Sequence, residues 1–459
     1  MSTGQLSEVA AMIDGRLSGT DRSFVGVSTD TRSLQSGELY VALRGPNFDG
    51  HEFVERAQQL GAAGALVAER VDVDLPQIVT DDTRTALARY ASAWRARFAI
   101  DVVAVTGSNG KTSVKEMLAA MLGKRGDTLA TRGNYNNDIG VPLTLLRLQR
   151  SHRAAVIEVG ASAGGEVAAL AALAAPQVGI VNNAARAHLE GFGSVEAVAR
   201  AKGEMFSALP EDGVAIINAD DAYFDYWKGV AGARSIITFG ETADADVTFT
   251  DFEQHVHEGS ARIEFNVHAR GSTQRFVIPA AGRHNARNAL AATAACLAFG
   301  MTLADCARGL EAVDMASGRL QVLTTPGGAR VIDDSYNANP ASVRAAIEFL
   351  SEQNESGWLV LGDMGELGDD EREMHAQVGK YAREHGLRRL YGVGDLTRAA
   401  VTAFGDGGRW FEHVESLIAA LLADARGDIN VLVKASRSMR LERVVQAMRD
   451  APVDQLAEG

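Results

Sequence analysis

The sequence is poor in most features that would mark a secreted, membrane-bound or nucleic-acid-binding protein. Two cysteines, Cys296 and Cys306, stand among 459 residues. That is too few for a disulfide framework, and both fall inside helical patterns, where a reduced thiol packs as a small apolar group. Positive charge is also scarce: 45 Lys and Arg face 59 Asp and Glu, a net charge of −14. A broad nucleic-acid surface is thereby excluded, and a nucleotide has to be held by local positive groups. The longest apolar stretch, near 167–175, is too short to span a bilayer and runs into Pro176. The first residues carry acids and lack the basic-then-apolar layout of a signal. Repeats, heptads and low-complexity segments are missing as well. These absences predict a cytoplasmic enzyme with no nucleic-acid partner and no membrane insertion.

What the chain does contain is organised around VVAVTGSNGKT, residues 102–112. The β-branched run Val102, Val103 and Val105 predicts a buried parallel strand. It ends in a turn with Gly107 and Gly110, and a helix is predicted over 113–122. A strand, a glycine loop and a helix N-terminus form an anion site, to which Lys111 adds a full charge and Thr112 a hydroxyl suited to a phosphate-bound Mg²⁺. The standard phosphate-loop pattern would put its first glycine at position 105, which is valine here; the first glycine sits at Gly107, giving T-G-x-x-G-K-T. The loop is expected at the surface.

The length exceeds one ordinary core, and the pattern divides into three α/β units. Residues 1–100 combine helical spacing at 6–13 and 83–98 with short strands at 39–43 and 65–67. Residues 101–313 alternate strands (154–159, 178–181, 214–217, 236–239) with helices, which implies a mainly parallel sheet. Period-two segments at 247–253, 261–268 and 275–278 predict an antiparallel patch, closed by helices at 285–299 and 303–310. Residues 314–459 repeat a doubly wound layout on strands at 331–333, 358–361, 390–392 and 430–433, with no G-x-G-x-x-G to open it.

Several polar groups lie at predicted strand ends, where α/β ligand sites gather. Glu158 ends a strand beside the loop strand and suits a second Mg²⁺ ligand, though a strand-end Glu is also a common cap. His188 follows the strand at 178–181. Lys202, on a predicted helix over 194–209, reads by itself as a solvated lysine. His284, Asn285 and Asn288 open a helix; the i, i+3 amides could pair with a base edge, or Asn285 could simply cap. Arg319 could grip a phosphate, and Asp333 and Asp334 a ribose or metal water. The stretches 27–33, 44–51, 333–340, 361–368 and 434–437 are each equally explained, when taken singly, as ordinary turns.

Taken together, these stretches resemble the Mur ligases of peptidoglycan synthesis, and within them the branch that adds D-alanyl-D-alanine. The resemblance is carried by TGSNGKTS (106–113), TRGNYNNDIGVPLTLL (131–146), NNAARAHLEGFGS (182–194), AKGEMF (201–206), GRHNARNALAA (282–292), SGR (317–319), DDSYNANPAS (333–342), LGDMGELG (361–368) and VKASRSMRLE (433–442). One departure is Ala435, where the family more often has glycine.

The resemblance implies a uridine-nucleotide domain (1–100), a central ATPase (101–313) and a C-terminal Rossmann-like domain (314–459). It implies that Gly107, Ser108, Asn109, Gly110, Lys111, Thr112 and Ser113 hold the ATP phosphates. His284, Asn285, Asn288, Arg319 and Asp334 complete that nucleotide site. Two Mg²⁺ ions would be ligated by Thr112, Glu158, His188 and Lys202, the last as a carbamylated lysine. Ser28, Thr29, Arg32 and Asn47 match the uridine region; Asn134, Asn137, Tyr336, Asn337 and Asn339 match the substrate cleft. The implied reaction joins D-alanyl-D-alanine to UDP-MurNAc-tripeptide through an acyl phosphate, catalysed by Lys111, Glu158, His188, Lys202 and Arg319 in a monomer whose last domain closes over the central one. A folylpolyglutamate-type ligase and a phosphate-loop phosphotransferase are the competing readings.

Overall fold

A computed structural model of the chain describes residues 4–257, 260–353, 357–425 and 429–451. Three main sheets organise it. The largest has nine strands in the order Thr128–Ala130, Ala154–Glu158, Asp101–Thr106, Val178–Val181, Val214–Asn218, Ser235–Phe239, Val247–His257, Ser260–Ala269, Ser272–Ile278. Pairing is parallel through Val247–His257 and antiparallel beyond it. Val102, Val103, Ala104 and Val105 are fully buried, because helices cover both faces of a parallel strand and exclude water from successive side chains. From Asp101–Thr106 the chain crosses to Thr128–Ala130 and returns to Ala154–Glu158 on one side of that strand, then passes to Val178–Val181 on the other. The carboxyl end of Asp101–Thr106 is therefore the topological switch point, where a crevice opens.

The last sheet has six strands, ordered Gln321–Thr324, Arg330–Asp334, Asn430–Lys434, Gly357–Gly362, Arg389–Val393, Gly408–Phe411. Its first pair is antiparallel and the rest are parallel. The first sheet has five strands, Arg16–Ser18, Gln77–Val79, Gly64–Val67, Leu39–Val41 and Val27–Ser28. The helix Thr83–Arg95 ties this sheet to the central one. Its Tyr90 and Trp94 join a single apolar cluster that runs from Leu6 into Val141, Leu145 and Val167. Arg95 donates to the Ala174 carbonyl at 2.9 Å and the Ala175 carbonyl at 3.3 Å, answering the open carbonyls at the end of the helix Glu166–Ala174.

The mixed α/β reading and the parallel-then-antiparallel central sheet hold. The phosphate-loop helix begins at Lys111, two residues before the expected start, and ends at Gly123. Sequence periodicity passed over the edge strands Thr128–Ala130 and Gln321–Thr324 and the helices Gly140–Leu145, Thr397–Phe404 and Val414–Asp424. Most of these are short, and a two-turn element gives too few residues to set a period.

Candidate active site

The glycine loop is held from one side by the segment that follows Val178–Val181. Ser108 N donates to the Asn183 carbonyl at 3.0 Å, and the Ser108 hydroxyl accepts the Ala185 N–H at 2.9 Å. Asn109 N donates to the Asn183 side chain at 2.8 Å, while the Asn182 amide donates to the Asn109 carbonyl at 2.9 Å. Gly110 has φ +81°, and a Cβ there would meet Asn288 Oδ1 at 2.3 Å and Asn182 Nδ2 at 2.4 Å; no other residue fits without displacing both amides. The expected surface turn is therefore corrected: Gly107 and Ser108 are buried, because three segments pack around the loop. Lys111 folds back, its ammonium donating to the Gly107 carbonyl at 2.7 Å, and burial pushes its pKa down.

Glu158 closes the strand next to the loop strand, paired with Val105. Its Oε1 accepts from the Asn136 amide at 2.8 Å. Its Oε2 is buried with no hydrogen-bond partner, a costly state for a carboxylate oxygen unless a cation faces it. His188 stands at φ +55°, an uncommon backbone state for a non-glycine residue and one that accompanies ligand positions. Its Nδ1 meets the Glu366 carboxylate of the last unit. Burial lowers its pKa, with the Glu366 charge opposing and Lys111 and Lys202 reinforcing the shift.

Lys202 overturns the solvated reading. On the helix Val195–Ser207 its side chain is 1% exposed, facing the Phe192 ring at 5.7 Å. Burial first, and repulsion from Lys111 second, push its pKa down to about 7. A lysine near neutral pH is a partly uncharged, nucleophilic amine. Periodicity missed this because the residue lies on the apolar face, between the buried Ala201 and Gly203.

Asn285 and Asn288 lie on one face of the helix Arg283–Ala298, as expected. Asn288 Nδ2 donates to Asn285 Oδ1 at 3.0 Å, and Asn285 Nδ2 to the Ala281 carbonyl at 2.8 Å. Asn288 Oδ1 accepts from Asn182 at 3.0 Å, so the pair supports the loop from behind. His284 is neutral, its pKa driven by burial down to about 4.

The last unit supplies the remaining wall. Arg319 donates to the Thr112 hydroxyl at 3.1 Å and lies 4.2 Å from the Tyr336 ring centroid. Asn339 Nδ2 donates to Asn109 Oδ1 at 2.6 Å. Asp334 pairs with Lys434, which also donates to the Asn337 carbonyl at 3.0 Å. These groups enclose a cleft of about 1000 Å³ lined by residues 108–113, Asn134, Asn137, Glu158, His188, His284, Asn285, Asn288, Arg319, Asp334, Tyr336, Asn337 and Asn339. Gly107 and Lys202 are not among the residues that line it.

The uridine-side candidates are not part of it. Ser28 ends the edge strand Val27–Ser28, and Thr29 and Arg32 follow it, where Asp30 engages Arg32 at 2.6 Å. Asn47 is exposed between Arg44–Gly45 and Phe48–Asp49. Asn136, Asn182, Asn183, Glu366 and Lys434 also line the cleft, although the sequence motifs do not mark them individually as site residues. For Asn136, Asn182 and Asn183 the signal was the repeated Asn–Asn dipeptide; Lys434 ends the strand Asn430–Lys434. Arg84 also lines the cleft and carried no signal at all.

Family profiles match in three consecutive pieces. Residues 23–121 match the Mur ligase family catalytic domain, 105–296 the Mur ligase middle domain, and 318–437 the Mur ligase glutamate ligase domain. The chain is 44% identical over 448 residues to the UDP-N-acetylmuramoyl-tripeptide–D-alanyl-D-alanine ligase of Escherichia coli, covering 97% of this chain and 98% of that protein. The crystal structure of MurF from Acinetobacter baumannii superposes with a TM-score of 0.90 at 34% identity, over 98% of this chain and 99% of that one. The MurF ligase from Thermotoga maritima in complex with ADP gives 0.80 at 27% identity, over 92% and 97%. The sheets, the loop and these matches agree: the chain belongs to the Mur ligase family.

Proposed function

We propose that this enzyme joins D-alanyl-D-alanine to UDP-MurNAc-tripeptide with cleavage of ATP to ADP and phosphate, a step of peptidoglycan precursor synthesis. The observation that carries it is the single cleft in which Arg319 and Asn339 of the last unit reach Thr112 and Asn109 of the phosphate loop. The full-length 44% match to a ligase of that name supports it.

A carboxylate is a poor electrophile, so the tripeptide's terminal carboxylate first attacks the γ-phosphorus of ATP and ADP leaves. The amine of D-alanyl-D-alanine then attacks the acyl carbon, loses a proton, and phosphate departs from the tetrahedral intermediate. Lys111 and Arg319 offset the negative charge that crowds this site. The loop residues 107–113, with His284, Asn285, Asn288 and Asp334, form the nucleotide side. Asn134, Asn137, Tyr336, Asn337 and Asn339 face the peptide, and Ser28, Thr29, Arg32 and Asn47 the uridine.

The donor set also fits Mg²⁺. The unpartnered Glu158 Oε2 is a buried anionic oxygen, Thr112 offers a hydroxyl and His188 a neutral imidazole. When bound, the ions would neutralise phosphate oxygens. Thr112, Glu158, His188 and Lys202 would hold them, Lys202 as a carbamate; an amine with a pKa near 7 is the form that adds to carbon dioxide. The test is phosphate release from ATP, measured with each substrate omitted in turn. Release should require both UDP-MurNAc-tripeptide and D-alanyl-D-alanine; release that ignores either one rejects the ligase reading in favour of a phosphotransferase or simple ATPase.

A further inference from the structure

We propose that Arg84 is a specificity-determining residue that grips an anionic group of the uridine-nucleotide peptide substrate, releasing Asp138 as that anion enters. The inference rests on the function proposed above and adds a residue to it.

Arg84 lies in the first turn of the helix Thr83–Arg95, where the first unit meets the central one. Among the described residues it is the one side chain before residue 108 that lines the cleft. Its guanidinium meets Asp138 at two points, Nε to Oδ2 at 2.5 Å and Nη2 to Oδ1 at 3.2 Å. This two-point grip is how a guanidinium holds any carboxylate or phosphate, so the Asp138 carboxylate marks an anion position in the cleft. Both side chains are 52% exposed; a pair that wet contributes little to the fold and exchanges readily.

The other Lys and Arg side chains that line the cleft have contacts of their own. Lys111 is turned onto Gly107, Arg319 onto Thr112, Arg287 onto Glu241, Lys434 onto Asp334 and Arg437 onto Glu442. The substrate carries a diphosphate at one end and a carboxylate at the other, and it must dock on a protein of net charge −14. Only local cations can draw it in. Arg84 stands on the unit that bears the uridine-side stretches, and Asp138 adjoins Asn134 and Asn137 in the central cleft. That is the path a substrate spanning the two would take.

Binding of UDP-MurNAc-tripeptide and of UDP should be measured by calorimetry in the wild type, R84Q, D138N and the same-helix control R89Q. Arg89 is exposed and stands 3.8 Å from Asp14, outside the cleft. R84Q should weaken tripeptide binding roughly ten- to hundredfold, the worth of a charge-assisted hydrogen bond. D138N should tighten it and R89Q leave it unchanged. If UDP binding falls in parallel, the diphosphate is the anion; if UDP binding is unmoved, it is a peptide carboxylate. An ion pair that only fastens the two units predicts instead that R84Q and D138N shift affinity in the same direction and both lower the melting temperature. That result, or unaltered tripeptide binding by R84Q, overturns the assignment of Arg84 alone. A wild type that binds no UDP-MurNAc-tripeptide overturns the proposed function itself, and this inference with it.

Discussion

Arg319 Nη2 donates to Thr112 Oγ1 at 3.1 Å, so a residue of the last unit already touches the second residue of the phosphate-loop helix. Its Nε is buried and unpartnered, and the Tyr336 ring fixes the guanidinium plane. A cation preorganised in this way stabilises charge that develops on a transferring phosphoryl group. Arg319→Ala is expected to lower kcat by roughly 10²–10³, the usual cost of one such donor. Arg319→Lys should recover little, because a point charge does not reproduce the fork. Steady-state ADP formation decides; a rise in KM with kcat untouched would contradict this role.

Lys202→Ala should abolish most turnover, and a short-chain carboxylic acid should restore part of it by standing in for the carbamate. With ¹³C-bicarbonate, the wild type should show a carbamate carbon signal that the variant lacks. Full activity in the alanine variant would reject the modified-lysine role.

The open oxygen of Glu158 predicts a metal phenotype. Glu158→Gln keeps the shape, and its amide oxygen can still face Asn136, but the buried negative charge is gone. The Mg²⁺ concentration for half-maximal activity should rise at least about tenfold, the lower end of what losing support at a metal site costs. The melting temperature without Mg²⁺ should not fall, since a buried unpaired charge has been removed. An unchanged Mg²⁺ titration would show that Glu158 has another purpose.

His284 gives a signed pH dependence. Its folded pKa, about 4, lies below its ordinary value of 6.5. The folded protein therefore binds this proton less readily than the unfolded chain. The stability it confers is complete above pH 6.5 and declines as pH falls through the window down to about 4. His284→Phe should flatten the acid limb of the melting-temperature profile between those values. A limb of unchanged slope would assign the acid loss to other groups.

Gly110→Ala should weaken ATP binding more than it weakens the fold. A left-handed φ costs alanine about 1–2 kcal/mol, and the new methyl would push on the Asn182 and Asn288 amides that brace the loop. Calorimetric ATP titration beside a melting curve separates the two effects. A loss of stability with ATP affinity intact would count against the loop's role.

The sheets and the phosphate loop were legible because their signals are local: β-branched runs bounded by glycine, and a lysine and threonine that open a helix. The partners of the loop were not. Asn183, Asn288 and Asn339 reach it from sequence distances of 74, 178 and 230 residues, as Asn109 N to Asn183, Gly110 against Asn288 and Asn339 to Asn109; only the folded topology brings such groups together. Lys202 was misjudged for a related reason. A lysine within an apolar face looks like noise in a helical pattern until Phe192 and the neighbouring sheet exclude water from it. Arg84 is legible only as an inter-unit contact, through Asp138.

The hydrogen bonds Asn339–Asn109 and Arg319–Thr112 cross a seam between units, and this division of the nucleotide site bears on waste. Were the last unit to swing away, the phosphate loop would lose Arg319, and ATP bound there alone would be a poor substrate for hydrolysis by water. Turnover would then be confined to the docked arrangement. A small molecule lodged in that seam would stop ligation without resembling ATP, the peptide or the dipeptide.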